Sequence, residues 1–165
     1  MDPVAYWIEH LSLKPHPEGG YYNETYRAVE KIKADALPPR FGGDRNFGTA
    51  IYFLLPSDER SLFHRIKSDE LWHFHAGSTL EIYVLTEAGL IIHRLGTNLE
   101  QGDRPQVVIP ADQWFAAAVS NNGTYTLASC TVSPGFDFED FELAKRGQLL
   151  QEFPTYEAII ERFTN

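Results

Sequence analysis

Three of the chain's six histidines and two acids fall within fifteen residues, in FHRIKSDELWHFHAG (63–77). Imidazole nitrogens and a carboxylate converging from facing strands make a site for Fe, Mn, Zn or Ni. The same groups without a metal make an acid–base pair for a small substrate. Which chemistry the stretch encodes depends on which side chains share a face. Strand side chains alternate. If Glu70 points into a barrel, Trp72 and Phe74 point in with it, and His73 and His75 point out to solvent, a second sheet or a subunit contact. A bulge reverses that phase, and Ser68-Asp69 is turn-like enough to hold one.

The surrounding elements are strands. Asp2 and Pro3 give an N-cap followed by proline at the first helical position, and Val4, Trp7, Ile8 and Leu11 then fall on one helical face. KPHPEGG ends that helix. The runs that follow include YYNETYRAV, TAIYFLL, ELWHFH, TLEIYVLT, QVVIP, WFAAAV and TYTLASCTV, with Gly, Pro, Asn or Asp at most joins. This pattern predicts an antiparallel sandwich or barrel, not βαβ units. KADALPPRFGGDRN reads as a polar loop, the segment expected to be flexible. From Asp137 the pattern turns helical in DFEDFELAKRGQLLQEF and, after Pro154, in TYEAIIERF. No repeat or linker divides the chain, so one all-β domain over residues 1–165 with short N- and C-terminal helices is expected.

Composition narrows the function classes. With 165 residues, 43% of them hydrophobic, the chain supports one substantial core. Lys and Arg total 14 against 23 Asp and Glu, a net charge of −9 with no basic cluster, which argues against nucleic acid and anionic membrane as partners. No apolar run approaches the roughly 18–20 residues that span a bilayer. MDPVAYWIEHL carries acids and no basic n-region, so no signal peptide is expected and a cytoplasmic location follows as the expectation. The single cysteine, Cys130, makes no internal disulfide. In YTLASCTV it reads as a small buried apolar residue.

Two histidines one residue apart, a glutamate and a closing glycine form the first motif of the cupins, and this stretch resembles it. With Glu70 on the motif glutamate, Gly77 falls on the glycine, His64 on the first histidine, and Ile66 on the second. Gly102 to Phe115 resembles the second motif, with Pro110 matching, Asp112 at the inner glycine and Phe115 at the histidine. Together with HPEGGYYNETYR, TAIYFLL, PQVVIPADQWFAA and CTVSPGFDFEDFELA, the chain resembles the cupin-5-like family of uncharacterised proteins over roughly residues 11 to 154. The resemblance implies an RmlC-like jelly-roll barrel and a homodimer.

In the general cupin site three histidines and a glutamate hold one metal. Only His64 and Glu70 stand at matched positions, so the resemblance implies a pocket with no metal and no other cofactor. His64 and Glu70 are its polar, catalytic pair, and Ile66, Trp72, Phe74 and Phe115 its walls. A small molecule, sugar-like or sugar-nucleotide-like, is the expected ligand, and a metal-free epimerase or isomerase the leading reading. A metal-dependent oxygenase or isomerase and a non-catalytic binding protein stand beside it. The alternative for the pair itself is two groups that satisfy each other in the core.

Other residues have two readings each. HPEGGYY is either a tight turn into the first strand or a close backbone approach to a ligand, with Glu18 at the mouth. Tyr22, Glu24 and Tyr26 share a strand face; inward they add a polar rim to the pocket, outward they belong to a dimer surface. Trp114 faces away from Phe115, either as an interface anchor or under a terminal helix. Asp137, Glu139 and Asp140 fit the start of a helix. His10 and His16 have no evident partners.

Overall fold

The computed structural model describes all 165 residues. In chain order the elements are α1 (Pro3–His10), β1 (Lys14–Pro15), β2 (Tyr21–Arg27), β3 (Lys31–Ile32), β4 (Arg45–Asn46), β5 (Thr49–Pro56), β6 (Ser61–Arg65), β7 (Asp69–Gly77), β8 (Leu80–Thr86), β9 (Gly89–Leu95), β10 (Gln106–Ile109), β11 (Trp114–Val119), β12 (Tyr125–Ser133), β13 (Glu142–Leu143), α2 (Arg146–Glu152) and α3 (Glu157–Arg162). One sheet runs β1-β2-β5-β12-β7-β10, the other β13-β6-β11-β8-β9, and β3 pairs with β4. All pairings of named strands are antiparallel. The helices stand at the two ends of the chain and pack on the outer faces of the sheets, and the whole is a jelly roll of the expected class. None of the helices is long and apolar enough to cross a membrane.

Alternation along the strands builds the core. Phe53 and Leu55 of β5, Trp72 of β7 and Ala128 and Cys130 of β12 meet Ile82 and Val84 of β8 and Phe115 and Ala117 of β11 between the sheets. The run WFAAAV is buried on both faces. Its other face, Trp114, Ala116 and Ala118, packs with Phe63, Leu149, Ile160 and Phe163 under α2 and α3. Trp114 is therefore not an outward anchor: it sits beneath the C-terminal helices, with the Arg65 guanidinium 4.2 Å over its ring. At the other end, the Asp2 carboxylate accepts from the Ala5 N–H at 3.0 Å, and Val4, Trp7, Ile8 and Leu11 pack on Leu13, Leu54 and Leu127.

The helical expectation from Asp137 is corrected. Residues Phe138–Asp140 form one 3₁₀ turn, β13 then pairs with β6, and the helix begins only at Arg146. Tertiary contacts override the local pattern. Asp140 is drawn to Arg45, whose Nε and Nη2 donate to its two oxygens at 2.8 Å each, with both side chains buried. The acids here thus act through that pair and at the start of a single 3₁₀ turn, where Asp137 accepts from the Glu139 N–H, rather than at the start of an α-helix. The same bond holds down the 33–46 segment that reads as loose in sequence.

Candidate functional site

A cavity of about 260 Å³ opens between the sheets at the end formed by β2, β5, β12 and β7. Phe136, Phe138 and Phe141, on the segment that Asp140 anchors, make its outer wall. Glu70, Ile66 and Trp72 line it as expected from the sequence, and so does His64; of the two readings for Tyr22 and Glu24, the inward one holds. Two expected wall residues do not line it. Phe115 is fully buried behind His64, ring centroids 4.1 Å apart, and Phe74 packs against the core farther along the barrel. Phe115 lies too deep to reach the cavity, and the partly buried Phe74 lies beside the core but outside the cavity lining.

Strand β7 is regular from Asp69 to Phe74, and its irregularity falls at His75, not at Ser68-Asp69. His73 and His75 accordingly sit on the outer face. His73 Nε2 meets Thr131 Oγ1 at 3.0 Å and His75 Nε2 meets Ser129 Oγ at 2.8 Å. On β2 a register shift between Glu24 and Tyr26 separates residues that the sequence groups together: Tyr22 and Glu24 line the cavity while Tyr26 is exposed.

The polar centre is built from the turn before β2. Gly19 (φ +109°) and Gly20 (φ +75°) have left-handed backbones, and a Cβ on Gly19 would collide with the Arg60 carbonyl oxygen. Their lack of side chains lets the turn lie against the start of β6, where the Leu62 N–H donates to the Glu18 carbonyl at 2.8 Å. The close approach is thus to the protein's own backbone, and it delivers the Glu18 side chain inward. Glu18 Oε2 lies 2.5 Å from His64 Nε2, and both side chains are at most 5% exposed.

His64 Nδ1 is 2.7 Å from the Leu62 carbonyl, which can only accept, so Nδ1 carries a proton. Both ring nitrogens are therefore engaged. Burial pulls the His64 pKa down, but Glu18 foremost, with Glu70 and the Leu62 carbonyl, outweighs it and the net shift is upward. Burial pushes Glu18 up, but His64 foremost, with His16 and Ser61, more than reverses this and holds its carboxyl below the usual range. The pair is an imidazolium and a carboxylate.

Glu70 differs. It is 8% exposed, and only the Cys130 thiol reaches its carboxylate as a donor. Burial pushes its pKa up to about 7; His64 opposes this and Glu18 adds to it. Cys130, in the wall beside it, has a thiol pKa raised well above normal, chiefly by burial.

His16 completes the centre. Its Nδ1 accepts the Glu18 backbone N–H at 3.2 Å, so the neutral ring carries its proton on Nε2. The 3.8 Å approach of Glu18 Oε1 to that same Nδ1 is therefore no ion pair. Burial lowers the His16 pKa, more than the Glu18 charge restores.

The place of His16, the pairing of Glu18 with His64 and the contact of Cys130 with Glu70 are not legible in residue spacing. The one visible signal was the Glu-Gly-Gly turn. The donors do not fit a divalent cation. His64 is engaged by Glu18 and Leu62, Ile66 and Phe115 offer no donor, His73 and His75 lie outside, and no group of three or more ligating side chains is placed to share an ion.

Comparison with known proteins agrees with the architecture. The family model described as "Cupin superfamily (DUF985)" matches residues 5–144. "Uncharacterized protein YML079W" of Saccharomyces cerevisiae is 29% identical over 149 residues, covering 84% of this chain and 73% of that one. The crystal structure of protein SO0799 from Shewanella oneidensis is similar with a TM-score of 0.88 and 37% identity, over 100% of this chain and 99% of that one. Oxalate decarboxylase from Bacillus subtilis shares the fold alone, with a TM-score of 0.54 and 13% identity over 90% of this chain and 36% of that one.

Proposed function

Because this chain belongs to the Cupin_5 family of the cupin superfamily, we propose that its cavity binds a small organic molecule, sugar-like or sugar-nucleotide-like, and moves a proton on it without a metal. This is epimerase or isomerase chemistry. The observation that carries it is Glu70, a buried carboxyl on the cavity wall, short of donors and poised near neutrality. A general acid–base group works best with its pKa close to the working pH, and perturbed groups in clefts mark functional sites.

The roles within the pair differ from the sequence expectation. His64 has no nitrogen free for a ligand. It is a positioning residue, whose charge offsets Glu18 and tempers Glu70. Glu70 is the group that exchanges the proton. Tyr22, Phe138 and Phe141 supply ring faces for the body of the ligand.

A thermal-shift screen against sugar nucleotides, keto sugars and small carboxylates tests the binding, since a ligand that binds only the folded state raises the melting temperature. Wild type is expected to respond, and Glu70→Gln to bind without turnover. No shift with any compound argues for a non-catalytic role. Near-stoichiometric Fe, Mn, Ni or Zn in the purified protein, lost from the His64→Ala, Glu70→Ala double variant, overturns the metal-free reading. We extend the proposal to a cytoplasmic homodimer, as the family likeness suggests. Light scattering at twice the 18.8 kDa chain mass checks the dimer.

A further inference from the structure

We propose that His16 is the second catalytic residue of this cavity, its Nε2–H donating to the carbonyl oxygen of a bound aldehyde or ketone while Glu70 takes a proton from the adjoining carbon. This rests on the reading of Glu70 above and narrows its substrate class to carbonyl compounds with an acidic C–H.

Three observations lead there. The first is the fixed tautomer. A backbone N–H can only donate, and the N–H of Glu18 points at Nδ1 of His16, so the ring presents N–H, not a lone pair, at Nε2. The second is the lack of a partner. The side chain is 7% exposed and lines the cavity, and no protein acceptor meets Nε2. Nε2 is not sealed in the core but stays reachable from the cavity, where a ligand oxygen can meet it. The third is the ring's fixed orientation: Tyr22 lies edge-on at 4.6 Å between centroids, with Phe141 at 5.9 Å and Phe53 at 6.2 Å.

A neutral imidazole suits the task. It stabilises negative charge developing on oxygen without first holding a positive charge of its own, as a pre-aimed donor in a cavity walled largely by apolar side chains. The step balances within the site. The Glu70 carboxylate takes the proton, and the C–H electron pair becomes the C=C bond of the enolate. The carbonyl π pair moves onto the oxygen held by His16. On collapse the pair returns, and the Glu70 carboxyl gives a proton back to carbon. In D₂O that carboxyl exchanges first, so the carbon gains deuterium.

The test incubates the protein near pD 7 with dihydroxyacetone, D-glyceraldehyde, D-fructose and hydroxypyruvate, and follows loss of the C–H signals by proton NMR. Wild type is expected to exchange at least one of them and Glu70→Gln none. His16→Ala is expected to slow exchange about a hundred- to a thousandfold, the usual loss for one oxyanion donor, with kcat falling more than KM rises. His16→Gln, which keeps an N–H, recovers part of the rate. Wild-type rates in His16→Ala overturn the role of His16 and leave Glu70 standing; no exchange by wild type overturns both. If His16→Ala does not fold, long-range ¹H–¹⁵N spectra of wild type decide. A proton on Nδ1 of His16 at neutral pH overturns the proposal, and a proton on Nε2 alone supports it.

Discussion

Glu18 and His64 are 46 residues apart in sequence, and their side chains meet 2.5 Å apart inside the barrel, at most 5% exposed. Removing one partner of a buried pair leaves a charge without compensation and typically costs about 3–5 kcal/mol. Glu18→Gln is expected to lose stability on that scale in urea unfolding. The pH dependence has a definite sign. The His64 pKa is raised above 6.5, so its share is full below that value and lost as pH rises through the raised one. The Glu18 pKa is lowered below 4.5, so its share is full above that value and lost as pH falls through the lowered one. The gap between wild type and Glu18→Gln should be widest between pH 4.5 and 6.5.

Glu70 acts in the opposite sense. Its pKa rises from 4.5 to about 7 on folding. Below pH 4.5 both states are protonated and nothing is lost. As pH climbs through this interval the unfolded state ionises first, and the fold loses about 3 kcal/mol by the time pH passes the upper value. Glu70→Gln removes this loss. It is expected to melt higher than wild type at pH 8 and to converge with it near pH 4. A melting series over that range checks it, and a lower melting temperature at pH 8 would show that Glu70 has a stabilising partner.

The barrel was legible because strand alternation and turn residues are local signals, and His64, Glu70, Ile66 and Trp72 were legible because they share one short motif. What alternation conveys is the face, not the depth. Phe74 points the same way as Trp72 but lies two residues on, about 7 Å along the strand, and packs beside the core, outside the cavity. Phe115 likewise faces inward behind His64. Glu18 and His16 escaped because their partners come from β6 and from the turn's own backbone, contacts that no spacing encodes. The helix expected from Asp137 failed for a related reason: apolar residues such as Phe138 and Phe141 fit a helical face, yet pairing of β13 with β6 and the hold of Arg45 on Asp140 decide the conformation.

Gly19 is the residue on which the centre's assembly depends. Any side chain there meets the Arg60 carbonyl, and its φ of +109° is strained for other residues. Gly19→Ala is expected to push the turn off β6, separate Glu18 from His64 and lower the urea midpoint. Nitrogen-15 spectra of the imidazoles should show His64 losing its imidazolium signature at pH 6.5. A folded Gly19→Ala that retains that signature would mean the turn can yield elsewhere.

Cys130 should be unreactive despite lining the cavity. The thiolate is the reactive form, and burial together with the neighbouring Glu70 raises the thiol pKa well above normal. Iodoacetamide at pH 8 is expected to leave the native protein unlabelled and to modify it fully in urea, as read by intact mass. Glu70→Gln removes one of the opposing charges and should quicken native labelling. Equal rates in the two proteins would assign the protection to burial alone.

Arg45 and Asp140 tie β4 to the segment carrying Phe136, Phe138 and Phe141, so they connect stability to the shape of the cavity mouth. Asp140→Asn keeps the volume but removes the charge opposite a buried guanidinium. It is expected to cost about 3 kcal/mol or more and to loosen the aromatic wall. Trp72 reports on that wall, since it lines the cavity and is 1% exposed. In a background with Trp7 and Trp114 replaced by Phe, acrylamide quenching of Trp72 should rise in Asp140→Asn and stay low in the parent. A destabilised variant with unchanged quenching would separate the two roles, leaving the ion pair as an anchor of the fold with no hold on the mouth.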